Sequence, residues 1–293
     1  MRVLVIGFSV LALTLAGGGA ALAQKSKDKA AGPATQTQQQ TDTQAGGLDP
    51  NDPADLEEII AEADAAYFVP EGQQPDLAYA FEMYALAANA GDAYSMNRLA
   101  LMYDNGEHVA QDYVEAFEWY MRAAEAGLPA AMSNVASMYN AGDGVGRDYG
   151  KAMEWWRRAA DNGYSYAYYA IGDLYLGGKG VTEDATEAAA WYKRASDAGE
   201  PNGHWSLALR YLYGDGVAMD TQKAGDLAYL ALVNGLQIAR DEFKEIGSAD
   251  TSPNFRRRVQ ELLKRDGFYS GSIDGSFGPQ TQRAIDAAFG SAL

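Results

Sequence analysis

A chain of 293 residues is long enough for one or two domains, and its 40 acidic against 23 basic residues give it a net charge of −17. That balance argues against a nucleic-acid binder, whose affinity comes from Lys and Arg neutralising phosphates. Cysteine is absent, which excludes disulfides, thiol nucleophiles and thiolate metal sites.

Residues 1–23 read as a signal peptide: Arg2 as the positive start, an apolar run from Val3 to Ala16, and Ala21-Leu22-Ala23 as the cleavage site. The apolar run is short for a membrane-spanning helix, which needs ~20 residues. No second apolar span follows. The expectation is an exported protein, cleaved after Ala23, without a membrane span after signal removal, in the periplasm of a Gram-negative bacterium. Residues 24–54 are Gln-, Thr-, Ala- and Gly-rich and carry one large apolar residue, Leu48. Too little apolar surface is available there to offset ordering entropy, so the segment reads as a disordered linker. A helix is expected from about Asp55 to Tyr67, with Leu56, Ile59, Ile60 and Ala63 on one face, and residues 55–76 form an N-terminal cap.

From Leu77 onward the chain repeats itself every 36 residues: Gly91, Gly127, Gly163, Gly199 and Gly235 keep that step. So do Ala80 to Ala224, Tyr103 to Tyr211, the loop glycines Gly106 to Gly214, and Asp112 to Asp220. A fixed period of this length is the signature of stacked repeats. Asp112 and Asp184 sit as N-caps. Gly127 follows the first helix of its unit, where a left-handed residue is needed, and Pro129 opens the second. Two short helices cannot bury both apolar faces alone, and stacking the next pair completes the core. The recurring rings Trp119-Tyr120, Trp155-Trp156 and Trp191-Tyr192 are expected in that core.

The pattern Ala-x-x-Trp-Tyr-x-x-Ala-Ala-x-x-Gly, an Ala-rich helix ending in Tyr, and then Gly-x-Gly-Val resembles the Sel-one-like repeats, relatives of tetratricopeptide repeats. Three copies stand at Ala116 to Val145, Ala152 to Val181 and Ala188 to Val217. The resemblance implies an all-α fold, a right-handed α/α superhelical solenoid of helical hairpins over residues 77–247, with four full repeats and a degenerate fifth. In the first unit Met83-Tyr84 replaces the Trp-Tyr pair and Glu107-His108 enters the glycine loop. In the fifth, Ala228 lacks the ring, so that polar copy reads as a cap.

Ser248 to Ser252 reads as a hinge, and Ser252-Pro253 starts a new helix. Val259-Gln260-Glu261-Leu262-Leu263, Gly271 to Thr281 and a last helix from Gln282 to Phe289 resemble the peptidoglycan-binding domain of bacterial wall hydrolases. The match rests on Ile273-Asp274-Gly275, Phe277-Gly278, Thr281 and Ala284-Ile285. It departs where Gly290 stands in place of Gln and the last helix is cut short. A module of residues 252–293 is marginal alone and is expected to lean on the last repeat. The resemblance implies a small helical module with Tyr269, Asp274, Gly275, Phe277, Gly278 and Thr281 at the peptidoglycan site. Asp274 and Gly275 set the turn, while Tyr269, Phe277 and Thr281 touch sugar or peptide.

No catalytic constellation, metal-ligand spacing or cofactor motif is present; the two histidines, His108 and His204, lie in different units. The Gly-x-Gly pairs follow helices and repeat, so they are turns. Residues 55–250 hold 13 basic and 32 acidic residues, whereas residues 252–293 hold 6 basic and 4 acidic. An acidic solenoid favours a basic protein partner, and the tail module avoids repelling an anionic glycan. Arg122, Arg158 and Arg194 recur at the repeat step as partner-binding candidates. Glu118 and Glu154, four residues earlier, offer the alternative of intrahelical ion pairs. The expected function is an exported, non-enzymatic scaffold that binds a protein partner through the solenoid and peptidoglycan through the C-terminal module. The alternative is a periplasmic regulator that restrains a membrane sensor kinase, with the module only structural.

Overall fold

A computed structural model describes residues 47–245 and 251–292. The signal peptide, most of the linker and most of the hinge lie outside the described residues. Among the described residues there are thirteen helices and no strand. They are α1 (Pro53–Tyr67), α2 (Leu77–Asn89), α3 (Ala93–Asn105), α4 (Tyr113–Glu125), α5 (Pro129–Ala141), α6 (Tyr149–Asp161) and α7 (Ser165–Leu176). The rest are α8 (Ala185–Asp197), α9 (Pro201–Tyr213), α10 (Thr221–Val233), α11 (Gln237–Glu245), α12 (Pro253–Arg265) and α13 (Pro279–Ala288).

Local chemistry sets the boundaries. Asp112 Oδ1 accepts from the N–H groups of Val114 (2.9 Å) and Glu115 (3.2 Å), and Asp184 and Asp220 do the same one and two steps after the intervening Asp148 cap. Each bond satisfies a backbone donor that the first turn leaves open. α1 begins two residues earlier than its apolar spacing suggests, because Asp52 caps it and Pro53 fits the first position. α13 likewise begins at Pro279 and not at Gln282. At the short turns the chain reverses through a left-handed glycine. Gly127 has φ +97°, and Leu128 N–H reaches back to the Ala123 carbonyl at 3.1 Å, a bond repeated at each such turn.

Up to α10, consecutive helices pack on each other and hardly beyond, which is the arrangement of a solenoid of helical hairpins. The more extensive contacts lie across the glycine loops, between α3 and α4, α5 and α6, α7 and α8, and α9 and α10. Ala87, Ala123, Ala159 and Ala195, all fully buried, let the helices approach closely. The ring pairs divide. Tyr120, Trp156 and Tyr192 are buried, while Trp119, Trp155 and Trp191 are only half-buried at the rim. Successive side chains on a helix diverge by about 100°, so both members of a pair cannot face one layer.

The end of the array departs from a plain polar cap. α11 is short and packs lightly on α10, and α12 takes the larger share of the α10 surface. Phe243 of α11 is fully buried between three rings, Trp205 (centroids 5.8 Å apart), Phe255 (6.2 Å) and Phe277 (6.0 Å). One hydrophobic cluster runs from Trp205 of α9 through Phe243 to Val259, Leu263, Ile285 and Ala288. Polar bonds reinforce it: Arg258 pairs with Asp226 at 2.7 Å, and Tyr229 Oη donates to Asp266 at 2.6 Å. Gly290 and Ala292 N–H groups bond the Leu232 and Val233 carbonyls at the open end of α10. The module therefore leans on the last repeat, as its size demands, and the described residues from Gly47 onward belong to one compact unit.

Candidate functional site

The loop between α12 and α13 is built around one buried amide. Gln260 of α12 is fully buried. Its Oε1 accepts from Gly275 N–H at 2.8 Å, and its Nε2 donates to the Ser276 carbonyl at 2.9 Å and to Asp274 Oδ1 at 3.2 Å. Tyr269 Oη and Thr281 Oγ1 lie at 3.4 and 3.3 Å from the same Nε2. Asp274 Oδ1 also accepts from Ser276 N–H at 2.8 Å, closing the turn around Gly275, whose φ is +77°. That backbone bond, with Gln260 beside it, holds the Asp274 carboxyl below its ordinary range. Asp274 and Gly275 thus set the turn.

The other module residues expected at the site take a different place. Tyr269 and Phe277 are each only 7% exposed and Thr281 1%. Tyr269 Oη donates to the Ser272 carbonyl at 2.9 Å, Phe277 packs on Phe243, and Thr281 Oγ1 donates to the Ser276 carbonyl at 3.2 Å. These side chains frame the loop from inside, and Gly278 precedes α13 as its N-cap. Tyr269, Phe277 and Thr281, expected to touch sugar or peptide, are held by these contacts on the inner side of the loop. What the loop presents outward is Ile273, 39% exposed, with Ser272, Asp274 and Ser276 around it. Gln260 is the residue that sequence reasoning passed over. Its signal was a lone amide on the apolar face Phe255, Val259, Leu262 and Leu263.

On the solenoid, Arg122, Arg158 and Arg194 are exposed. Each guanidinium lies over the indole three residues earlier: Trp119 at 4.5 Å, Trp155 at 3.9 Å and Trp191 at 4.6 Å. Among the described residues no ion pair joins Arg122 to Glu118 or Arg158 to Glu154. The intrahelical pairing therefore gives way to a strip of three cation-on-indole stacks at the repeat step, each stack contributing about 0.5–1 kcal/mol. The strip leaves three flat, weakly hydrated cations at the surface.

The histidines do no visible chemistry. His108 is exposed and rests on Phe81, with ring centroids 5.5 Å apart. His204 is buried, its Nδ1 2.8 Å from Ser196 Oγ where the end of α8 meets the start of α9. Burial holds its imidazole below the ordinary value of 6.5, against the opposing pull of Glu200 and Asp197. The unfolded chain therefore takes up a proton first as pH falls. The contribution is complete above about pH 6.5 and is lost as pH drops through and below that value. We expect His204→Gln to flatten the stability profile between about pH 7 and pH 5. Denaturant midpoints measured across that range check it, and an unchanged slope assigns the titration elsewhere.

Among the described residues no group of three or more His, Asp or Glu side chains is placed to hold a metal ion, and no helix is long and apolar enough to cross a membrane.

Comparison with known proteins matches the Sel1 repeat family at residues 60–92, 93–128, 129–164, 165–200 and 201–241. The family's frame thus takes in the end of α1 and pairs the helices that meet across the glycine loops. A peptidoglycan binding domain family matches residues 252–288. No curated protein matches the chain. Among solved structures, a Sel1 repeat protein from Oxalobacter formigenes is 27% identical, with 73% of this chain and 84% of that one covered and a TM-score of 0.62. A protective antigen present in uropathogenic Escherichia coli strains, displaying an SLR fold, is 26% identical over 82% of this chain and 53% of its own, with a TM-score of 0.57. An immunity protein from Pseudomonas aeruginosa, 18% identical over 82% of this chain and 81% of its own at a TM-score of 0.53, shares the fold.

Proposed function

The chain belongs to the Sel1 repeat family, and from that premise we propose that it is an exported scaffold that holds a protein partner against the bacterial wall. The solenoid docks the partner, and the loop around Ile273 meets peptidoglycan. The observation that carries this reading is the shared core at Phe243: repeat array and wall module are one folded body, so a partner docked on the first is tied to whatever the second holds. The location proposed is the periplasm of a Gram-negative bacterium, reached through the signal peptide expected at residues 1–23. The partner surface is the arginine strip, which suits acidic side chains on an otherwise basic partner. The role proposed is non-catalytic, and zymography of the purified protein tests that: a cleared band would refute it.

The same seam favours a second reading, in which the module serves only to cap the solenoid and the protein restrains a membrane sensor kinase. Phe255 and Phe277 both turn inward to Phe243, which is what a cap requires. Retention on purified sacculi separates the two. We expect full-length protein to co-sediment, and Ile273→Glu to lose at least tenfold of that retention with its unfolding midpoint unchanged. Gln260→Leu is expected to lose both retention and about 2–4 kcal/mol of stability, since Gly275 N–H and the Ser276 carbonyl lose their buried partner. Retention unchanged in both variants, or absent from the parent, leaves the capping reading. Crosslinking in cells with Arg122, Arg158 and Arg194 changed to Ala together tests the partner surface, and an undiminished adduct would remove the strip from it.

A further inference from the structure

Three of the five repeats carry an internal bond that the other two lack, one through Trp156 and the degenerate fifth through Ala228. Tyr84, Tyr120 and Tyr192 hold the same place in the first helices of their units, and each donates its phenol proton to a buried or half-buried carboxylate on the helix before. The acceptors are Asp64, Asp104 (3.3 Å) and Asp173 (2.6 Å). In the unit between, that place belongs to Trp156, 4% exposed. The helix before it, α5, has Asn140 one repeat step after Asp104, and Ser137 one step before Asp173. The expected bond does not form. Trp156 Nε1–H and Asn140 Oδ1 are both buried and both without a partner. Ser137 Oγ is turned away to the Ser133 carbonyl at 3.0 Å. Beside them lies a cavity of about 270 Å³ between α5, α6 and α7, bordered also by Tyr169, Asp173 and Lys179.

We propose that this recess receives a carboxamide, the side chain of a Gln or Asn on a segment of a protein partner. Trp156 and Asn140 both border this cavity, and each carries a buried atom without a partner, of opposite polarity: an indole N–H that needs an acceptor and an amide oxygen that needs a donor. Buried polar groups in proteins are otherwise paired, so the missing partners are informative. A carboxamide supplies both, its oxygen to Trp156 and its N–H to Asn140. A carboxylate brings no donor and would be buried beside Asp173, whose own carboxyl is pushed up by burial. An ammonium brings no acceptor for the indole. The volume admits a whole side chain of that size and exceeds what a single water needs. The inference rests on the reading of the solenoid as a protein-docking surface. It names one contact there, on elements that include the second helices α5 and α7 and apart from the arginine strip.

The test uses the full chain labelled with nitrogen-15, in which the five tryptophans give indole N–H signals and Trp156→Phe identifies one of them. Titration with the dipeptide Ala-Gln is expected to move the Trp156 signal downfield and saturably, leaving those of Trp119 and Trp205 in place. Ala-Glu and N-acetylglucosamine are expected to act at least tenfold more weakly. Asn140→Leu, or Asn140→Ala where the larger side chain prevents folding, is expected to weaken the Ala-Gln response at least tenfold. A Trp156 signal that Ala-Gln leaves unmoved, or that Ala-Glu moves equally, overturns the proposal. Movement at lower concentrations of N-acetylglucosamine also overturns it and assigns the recess to glycan. A silent recess with crosslinking still dependent on the arginine strip removes this inference alone. Loss of that dependence removes the docking reading itself.

Discussion

Phe243→Ala is expected to destabilise the protein by about 3–5 kcal/mol, the range for deleting a buried aromatic ring from a packed core. The ring is fully buried and sits against Trp205 of the repeats on one side and Phe255 and Phe277 of the module on the other. Its loss opens a cavity in the core that both bodies share, and neither side can collapse into it without leaving the other. The module is also too small to hold itself folded once its apolar face is uncovered. The damage is therefore expected to be local as well as global. Amides of residues 253–288 are expected to lose hydrogen-exchange protection more than those of α2 to α6. Leu230→Ala, on the same end of the array but 41% exposed, is expected to stay within about 0.5 kcal/mol. Denaturant unfolding followed by tryptophan fluorescence, with exchange measured on the same samples, checks both. A loss below about 1 kcal/mol, or uniform loss of protection, would show that the seam is not shared.

The sequence made the repeat legible because each unit solves the same local problems with the same residues. Asp112, Asp148, Asp184 and Asp220 are caps, and their chemistry acts within three residues. Gly91 to Gly235 are reversals, fixed by backbone sterics alone. Features that depend on distant closure were not legible. Trp119 and Tyr120 are neighbours of similar type, and only the packed array decides which ring is covered by the next unit and which by Arg122. The wall-module motif marks the residues that the loop needs, but a motif does not tell a ring that touches a ligand from one that holds the loop in shape. Tyr269, Phe277 and Thr281 are nearly buried, with partners inside the fold, which the motif alone does not reveal. Gln260 was visible as an amide in an apolar stripe, yet its role as hub for Gly275, Ser276 and Asp274 exists only once the chain has turned back over α12. Phe243 was hidden for a simpler reason. The fifth unit is degenerate, so the period no longer says where its side chains go.

Gly144→Ala is expected to cost about 3–5 kcal/mol, and Gly127→Ala only about 1–2 kcal/mol, although both residues are left-handed. Gly127 has φ +97° and nothing within 4 Å of the place a Cβ would occupy, so the substitution there pays for the dihedral alone. Gly144 has φ +65°, and a Cβ on it would stand 2.0 Å from the Tyr113 carbonyl oxygen, at the first residue of α4. Backbone cannot swing aside as a side chain does. The loop would have to lift off the helix start that it covers. Gly216 repeats the contact with the Ala185 carbonyl oxygen at 2.0 Å, so the same substitution there is expected to cost as much. His108 separates the two causes. It stands one repeat step before Gly144, is not glycine, and has φ +66°. An L-residue is therefore tolerated in that dihedral at that place in the repeat, and the penalty at Gly144 must come from the contact. Thermal midpoints of Gly127→Ala, Gly144→Ala and Gly216→Ala, measured under one condition, decide it. If the three fall together, the glycine loops do not press on the helix starts, and the 36-residue step owes its loop glycines to the dihedral alone.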